Sequence, residues 1–303
     1  MRTVRFAWRG AWHRLGFRVL LALSVAFIVM GTSAAAQTSL AAGAAWQPPR
    51  TPDGQPDIQG FWGEAAGGAN GTNIETGFQT ADTLRVQGWT DAELAARIPV
   101  SAIVDTPDGK IPYQPWAAAR REEILAGYGG DVITRRPTTL RDVNPDLFCM
   151  LGMPRLVYWQ DFQVVQTPDY IVMAWERTHA YRIIPLDGRP HASPKVRTYM
   201  GDARGRWEGH TLVVETRNLR DWTWFDSKGT FHTSALTLVE RYTYVDRNTI
   251  RLQMTAEDPG ALTRPFTMEW TLQREHANDP GYELIEYACV EGERALESIL
   301  DRP

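Results

Sequence analysis

The chain has 303 residues, 43% of them hydrophobic and 22% charged, with a formal net charge of −4. That length suits one large β domain with decorations or two small domains, and a single core is the simpler expectation. The acidic balance, with no cluster of Lys and Arg interleaved with aromatics, argues against nucleic acid or anionic membrane as a partner.

Residues 1–36 carry Arg2, Arg5, Arg9, Arg14 and Arg18 and no acid, then an apolar run from Val19 to Met30, then Ala34-Ala35-Ala36 before Gln37. This is the pattern of a Sec-type signal peptide with an A-x-A cleavage site. The run is short of the roughly 20 residues that a spanning helix needs, and no Cys follows it to take a lipid, so no membrane anchor is expected. The expected location is periplasmic or secreted. Both cysteines, Cys149 and Cys289, fall after the cleavage site, and an oxidising compartment predicts a disulfide between them; two buried thiols or one reactive thiol are the alternatives.

Residues 37–57, rich in Ala, Gly and Pro, predict an extended or disordered arm, and residues 58–303 a single domain. A first strand is expected at Ile58 to Trp62, then a Gly-rich loop over 65–77 long enough to suspect a lid. Thr90-Asp91-Ala92-Glu93 has the spacing of a capping box ahead of one short helix, and Pro115 opens a second that runs through Leu125 with Gly127 to stop it. From Phe162 on the pattern is all β. Strand-length runs are read at 162–167, 170–176, 178–184, 196–200, 235–245, 249–257, 266–274 and 283–290, with a hairpin over 205–216 turning at Gly209-His210. Ile250, Leu252, Met254 and Ala256 alternate with polar neighbours, as do Phe266, Met268, Trp270 and Leu272. One dry face and one wet face along successive strands predict an antiparallel β-barrel, wide enough for one small ligand, with a loop-rich N-terminal extension and short helices.

Gly60-Phe61-Trp62 followed by antiparallel strands resembles the G-x-W element of lipocalin-like barrels. A second resemblance covers most of the mature chain. Pro52-Asp53-Gly54, Cys149 with Gly152-Met153-Pro154-Arg155, Asp187-Gly188-Arg189, GRWEGHTLVVET at 205–216, Asp226 with His232, Glu240-Arg241, Asp258-Pro259 and Glu286-Tyr287-Ala288-Cys289 fall in the order seen in a family of secreted bacterial hypothetical proteins. That resemblance implies export and brings no activity with it. Where the family commonly has Asp after the second Gly of GRWEG, this chain has His210.

The candidate catalytic residues are His179, Asp226, His232 and Glu240. His179 alternates with Tyr181 and Ile183, so it is either an inward acid/base group or a satisfied core histidine. Glu240 shares its strand face with Leu236, Leu238, Tyr242 and Tyr244, an apolar file in which an unpartnered carboxylate would cost several kcal/mol. It therefore pairs with an Arg such as Arg182, or sits in a ligand cavity with a raised pKa. Asp226 and His232 lie on the loop before that strand, where the carboxylate could orient the imidazole or simply cap the loop. Trp207, Trp222, Trp224 and Tyr242 offer walls for a small apolar or aromatic molecule, and Arg182 and Arg241 could bind an anionic group or pair with carboxylates. No HxH, HExxH or GxSxG occurs, so neither a metal nor another cofactor is called for. Two functions fit these residues: a cofactor-independent lyase, dehydratase or isomerase, and a periplasmic carrier that binds without catalysis.

Overall fold

The computed structural model describes residues 46–64, 73–76, 90, 101–129, 132–150, 152–155, 161–178 and 180–285, all within the unit Trp46–Pro303. The expected signal peptide, the helix expected after Thr90, His179, Cys289 and most of the Gly-rich stretch lie outside the described residues. No described helix is long and apolar enough to cross a membrane.

Nine strands form one sheet: β1 (Gly60–Glu64), β4 (Phe162–Gln166), β5 (Tyr170–Trp175), β6 (Tyr181–Pro185), β7 (Asp202–Glu208), β8 (Thr211–Arg217), β9 (Thr237–Asp246), β10 (Thr249–Glu257) and β11 (Phe266–Glu275). Two short strands, β2 (Tyr128–Gly129) and β3 (Val132–Ile133), pair apart from it. Every pairing in the sheet is antiparallel, in the order β6-β5-β4-β1-β11-β10-β9-β8-β7. The expected all-β antiparallel barrel is thus present, nearly closed, with β6 and β7 as its two ends.

Alternation decides which face is dry. Ile250, Leu252, Met254 and Ala256 of β10 stand opposite Leu272, Trp270, Met268 and Phe266 of β11, and all eight are buried. Across the other edge of β10, Leu252 faces Tyr242 and Met254 faces Glu240. Such side chains line the interior, and Trp62, Met173 and Leu212 belong to the same apolar cluster. At the seam, Gly205 of β7 lies so near β6 that an added Cβ would stand 2.7 Å from Leu186 and 2.8 Å from Ile184. Only glycine permits that approach. The hairpin turn is as read: Gly209, at φ +61°, occupies the first position of the two-residue loop, which a side chain would disfavour. His210 follows at the hairpin tip, partly exposed, and its carbonyl accepts a long bond from the Tyr244 amide at 3.5 Å.

The described part of the N-terminal arm carries no regular element beyond an isolated bridge between Arg50 and Pro56. From Trp46 onward it is fixed over one end of the barrel. Gln55 accepts a hydrogen bond from Trp207 Nε1 at 2.9 Å, Ile58 N donates to Gln166 Oε1 at 3.2 Å, and Trp46 packs 5.6 Å from Tyr244. The Gln166 side chain satisfies arm backbone at both Ile58 N and the Pro56 carbonyl, which would otherwise favour water. Trp62 is fully buried beneath the Arg274 guanidinium, 4.3 Å from its ring.

The strand expected at 196–200 does not form: Thr198 makes a single bridge to Leu219, and Gly201, at φ +72°, turns the chain into β7. Residues 283–285, the described part of the last expected strand, are irregular as well. Helix α1 (Pro115–Leu125) matches its start signal, with Pro at its first turn. It buries Ala117 and Ile124, two turns apart on one face. Around it Tyr113 stacks 5.6 Å from Phe231 and donates to the Phe231 carbonyl at 2.6 Å, while Arg121 Nε donates to the Lys228 carbonyl at 3.0 Å. These bonds fix α1 against the loop that carries Asp226 and His232.

Candidate functional site

The period-two file of β9 places Glu240 inside the barrel with no exposed surface. Of the two sequence alternatives the structure has the ion pair. Arg182, reaching from β6, donates through Nη1 to Glu240 Oε1 at 2.8 Å and through Nη2 to both Glu240 Oε2 and Thr216 Oγ1. Tyr242 Oη donates to Glu240 Oε1 at 2.8 Å, and Thr216 Oγ1 stands 3.3 Å from Oε2. Burial works against the Arg182 charge, but Glu240 outweighs it and the guanidinium pKa is raised. Burial, with the Glu240 charge adding, holds the Tyr242 phenol well above its ordinary value. Among the described residues only the Arg182 Nε–H of this cluster finds no acceptor. Both carboxylate oxygens are taken, so Glu240 has no lone pair aimed at an open space.

Asp226 and His232 are not brought together: no hydrogen bond or ion pair joins them. Asp226, also without exposed surface, accepts from Ile74 N at 3.0 Å, Lys228 N at 2.7 Å and Thr230 Oγ1. Burial raises its pKa, and the nearby Arg121 charge and these bonds pull the other way. His232 is 2% exposed. Its Nδ1 donates to the Thr233 carbonyl at 2.8 Å, which leaves Nε2 facing the Thr223 hydroxyl at 2.8 Å. Burial lowers its pKa, opposed by the Thr233 bond and the charge of Asp258. The loop is held by a carboxylate that sequence reasoning gave no role: Asp258 accepts from Thr233 N at 2.6 Å, Thr233 Oγ1 at 2.5 Å and Gly260 N at 3.0 Å. Its only sequence signal is the Asp-Pro turn after β10.

The remaining predicted residues divide between core and surface. Tyr181 and Ile183 are 65% and 50% exposed, and His179 is outside the described residues. Arg241 also points outward and pairs with Glu208 at 2.9 Å. Asp221 pairs with Arg141 at the surface. Trp222 packs 6.3 Å from Phe148, and Trp224, buried, packs 6.5 Å from Tyr128. Cys149 ends a short 3-10 turn in a left-handed conformation, and no described cysteine is free. Among the described residues no three His, Cys, Asp or Glu side chains gather as a metal site would require.

Among the described residues, open space borders both flanks of α1. One flank, with Tyr113, Ala118, Arg121, Leu125 and Glu75, borders a cleft of ≈ 310 Å³. The other borders a cleft of ≈ 600 Å³ lined by Arg120, Ile124, Tyr128, Ile133, Arg135 and Arg136, among others. In the larger cleft Tyr128 donates to the Asp142 carbonyl at 3.0 Å and accepts from Asn144 N at 2.9 Å. Burial, with the Asp142 charge adding, pushes its phenol up to about 12. The two bonds hold the Tyr128 ring in place at the cleft. The adjacent pair Arg135-Arg136 was missed because it lies in a loop without periodicity; two arginines before Pro137 in an acidic chain were the available signal.

No family model, curated protein or solved structure matches this chain.

Proposed function

We propose that the protein is an exported small-molecule binding protein, periplasmic or secreted, that holds an apolar or aromatic ligand without transforming it. One observation carries this reading. Asp226, His232 and Glu240 are closed off from solvent, and each atom they could use in acid/base work is already bonded inside the protein. General acid or base catalysis needs such a group within hydrogen-bond reach of a reacting atom. The larger α1 cleft has the size of a small-molecule site and offers Ile124, Tyr128, Ile133 and Pro137 as apolar surface.

A disulfide between Cys149 and Cys289 belongs to the same reading, since export places both thiols in an oxidising compartment. Mass spectrometry of non-reduced peptides should find the linked pair; two alkylatable thiols in protein from the periplasm would remove it. The binding function is tested by titrating a panel of small aromatic compounds against the full mature chain, then recovering each by chromatography. Saturable binding with unchanged recovery supports a carrier. Steady consumption of a bound compound, abolished in His232→Ala, would replace binding by catalysis.

A further inference from the structure

The larger α1 cleft holds an electrostatic asymmetry that packing does not explain. Its lining contains three arginines and two carboxylates. Arg120 takes both acids, with Nη1 3.1 Å from Glu123 and Nη2 bonded to Asp142. Arg135 and Arg136 are exposed, and among the described residues neither side chain has an ion-pair or hydrogen-bond partner. The chain as a whole is acidic, so a carboxylate for either was available at little cost.

Their backbone, by contrast, is held firmly. The Gly127 carbonyl, just past α1, accepts from Thr134 N at 2.8 Å, Thr134 Oγ1 at 3.1 Å and Arg135 N at 3.3 Å. Pro137 restricts Arg136 to extended conformations. Two guanidinium groups on an anchored segment therefore stand beside an apolar floor of Ile124 and Ile133, both buried. A guanidinium offers paired N–H donors that match the two oxygens of a carboxylate or sulfonate.

We infer that the cleft takes a ligand with an anionic head on an aromatic or apolar body, the head received by Arg135 and Arg136 and the body by Ile124, Tyr128 and Ile133. This rests on the binding reading above and adds the charge of the ligand. The electrostatic attraction falls with salt because the arginines are exposed, whereas apolar contact with the floor does not weaken in that way.

The test compares two fluorescent probes that share an aromatic body: anilinonaphthalene sulfonate, which is anionic, and phenylnaphthylamine, which is neutral. The wild-type chain should bind the sulfonate about tenfold or more tightly than the amine, with an affinity that drops as salt is raised. The double variant Arg135→Ala/Arg136→Ala should lose about that factor for the sulfonate and leave the amine unchanged. Lysine at both positions should retain part of the preference, since charge remains while the paired donors are lost. Thr138→Trp, which fills the cleft from its exposed rim, should weaken both probes. If both probes bind alike and the arginine variants change neither, the anionic head is wrong while the binding reading stands. If neither probe binds, or Thr138→Trp affects neither, the cleft is not the site and the binding reading at this place falls with it.

Discussion

The barrel interior and the cleft beside α1 treat arginine in opposite ways. Inside, Arg182 is bound by a carboxylate and a hydroxyl, and a phenol completes the carboxylate's shell. Beside α1, Arg135 and Arg136 stand at a cleft with no carboxylate assigned to them. Desolvation accounts for the first, because a lone charge among Met254, Val214 and Tyr242 would cost several kcal/mol. Water removes that constraint in the second, so folding requires no partner there. The buried carboxylates of Asp226 and Glu240 have their oxygens bonded inside the protein.

The largest expected effect breaks the interior pair. Glu240→Gln should destabilise the chain by about 3 to 5 kcal/mol, because Arg182 is left charged and buried, whereas Arg182→Met/Glu240→Leu together should recover most of the loss. Denaturant midpoints of the wild type and the two variants measure this. A loss below about 1 kcal/mol for Glu240→Gln would place the pair in the weak, solvated class and erase the contrast. Next comes the seam: Gly205→Val puts side-chain atoms where Leu186 and Ile184 already lie and should cost about 1 to 3 kcal/mol in the same assay.

His232 should give a smaller, pH-dependent effect. Burial lowers its pKa in the folded chain, so the unfolded chain binds more protons once pH falls below about 6.5. This share of stability is present above that pH and is lost as pH falls through and below it. Unfolding midpoints across a pH series should show the loss, and His232→Gln should flatten it; an unchanged acid limb would mean that His232 is already protonated when folded. Smallest of all, Arg135→Ala and Arg136→Ala should move thermal stability by no more than about 0.5 kcal/mol, as exposed, unpartnered side chains do. A larger loss would show that these arginines serve the fold after all.

Much of this contrast was legible in one half only. Period two along β9 gave the inward position of Glu240, because alternation is a local property of the backbone. Thr216 as a further partner was not readable, since it depends on which residues a curved sheet sets opposite one another. Asp226 and His232 lie six apart and invite pairing, yet each turns to hydroxyls and backbone nearer at hand. The β9–β10–β11 ladders were readable to within two residues, and α1 announced itself at Pro115. Residues 196–200 misled because Val196 and Tyr199 look strand-forming, while Thr198 alone finds a neighbouring backbone to bridge.

The position of β1 has a consequence for the order of assembly. Trp62 stands opposite Phe162 on one side and Arg274 on the other, so among the described strands the earliest is flanked by the latest. Arg274 Nη1 caps the Gln59 carbonyl across 215 residues of sequence at 2.7 Å. Half of the β1 edge stays unpaired until β11 has been delivered, and closing so long a loop is slow. A chain emerging N-terminus first therefore has no complete ring to fold into until nearly all of it has arrived. Such a polypeptide stays open during synthesis and becomes committed only when β11 arrives. Refolding followed by Trp fluorescence should accordingly show no native burial of Trp62 in a chain ending before Phe266, and early protection of Trp62 in that fragment would overturn this order.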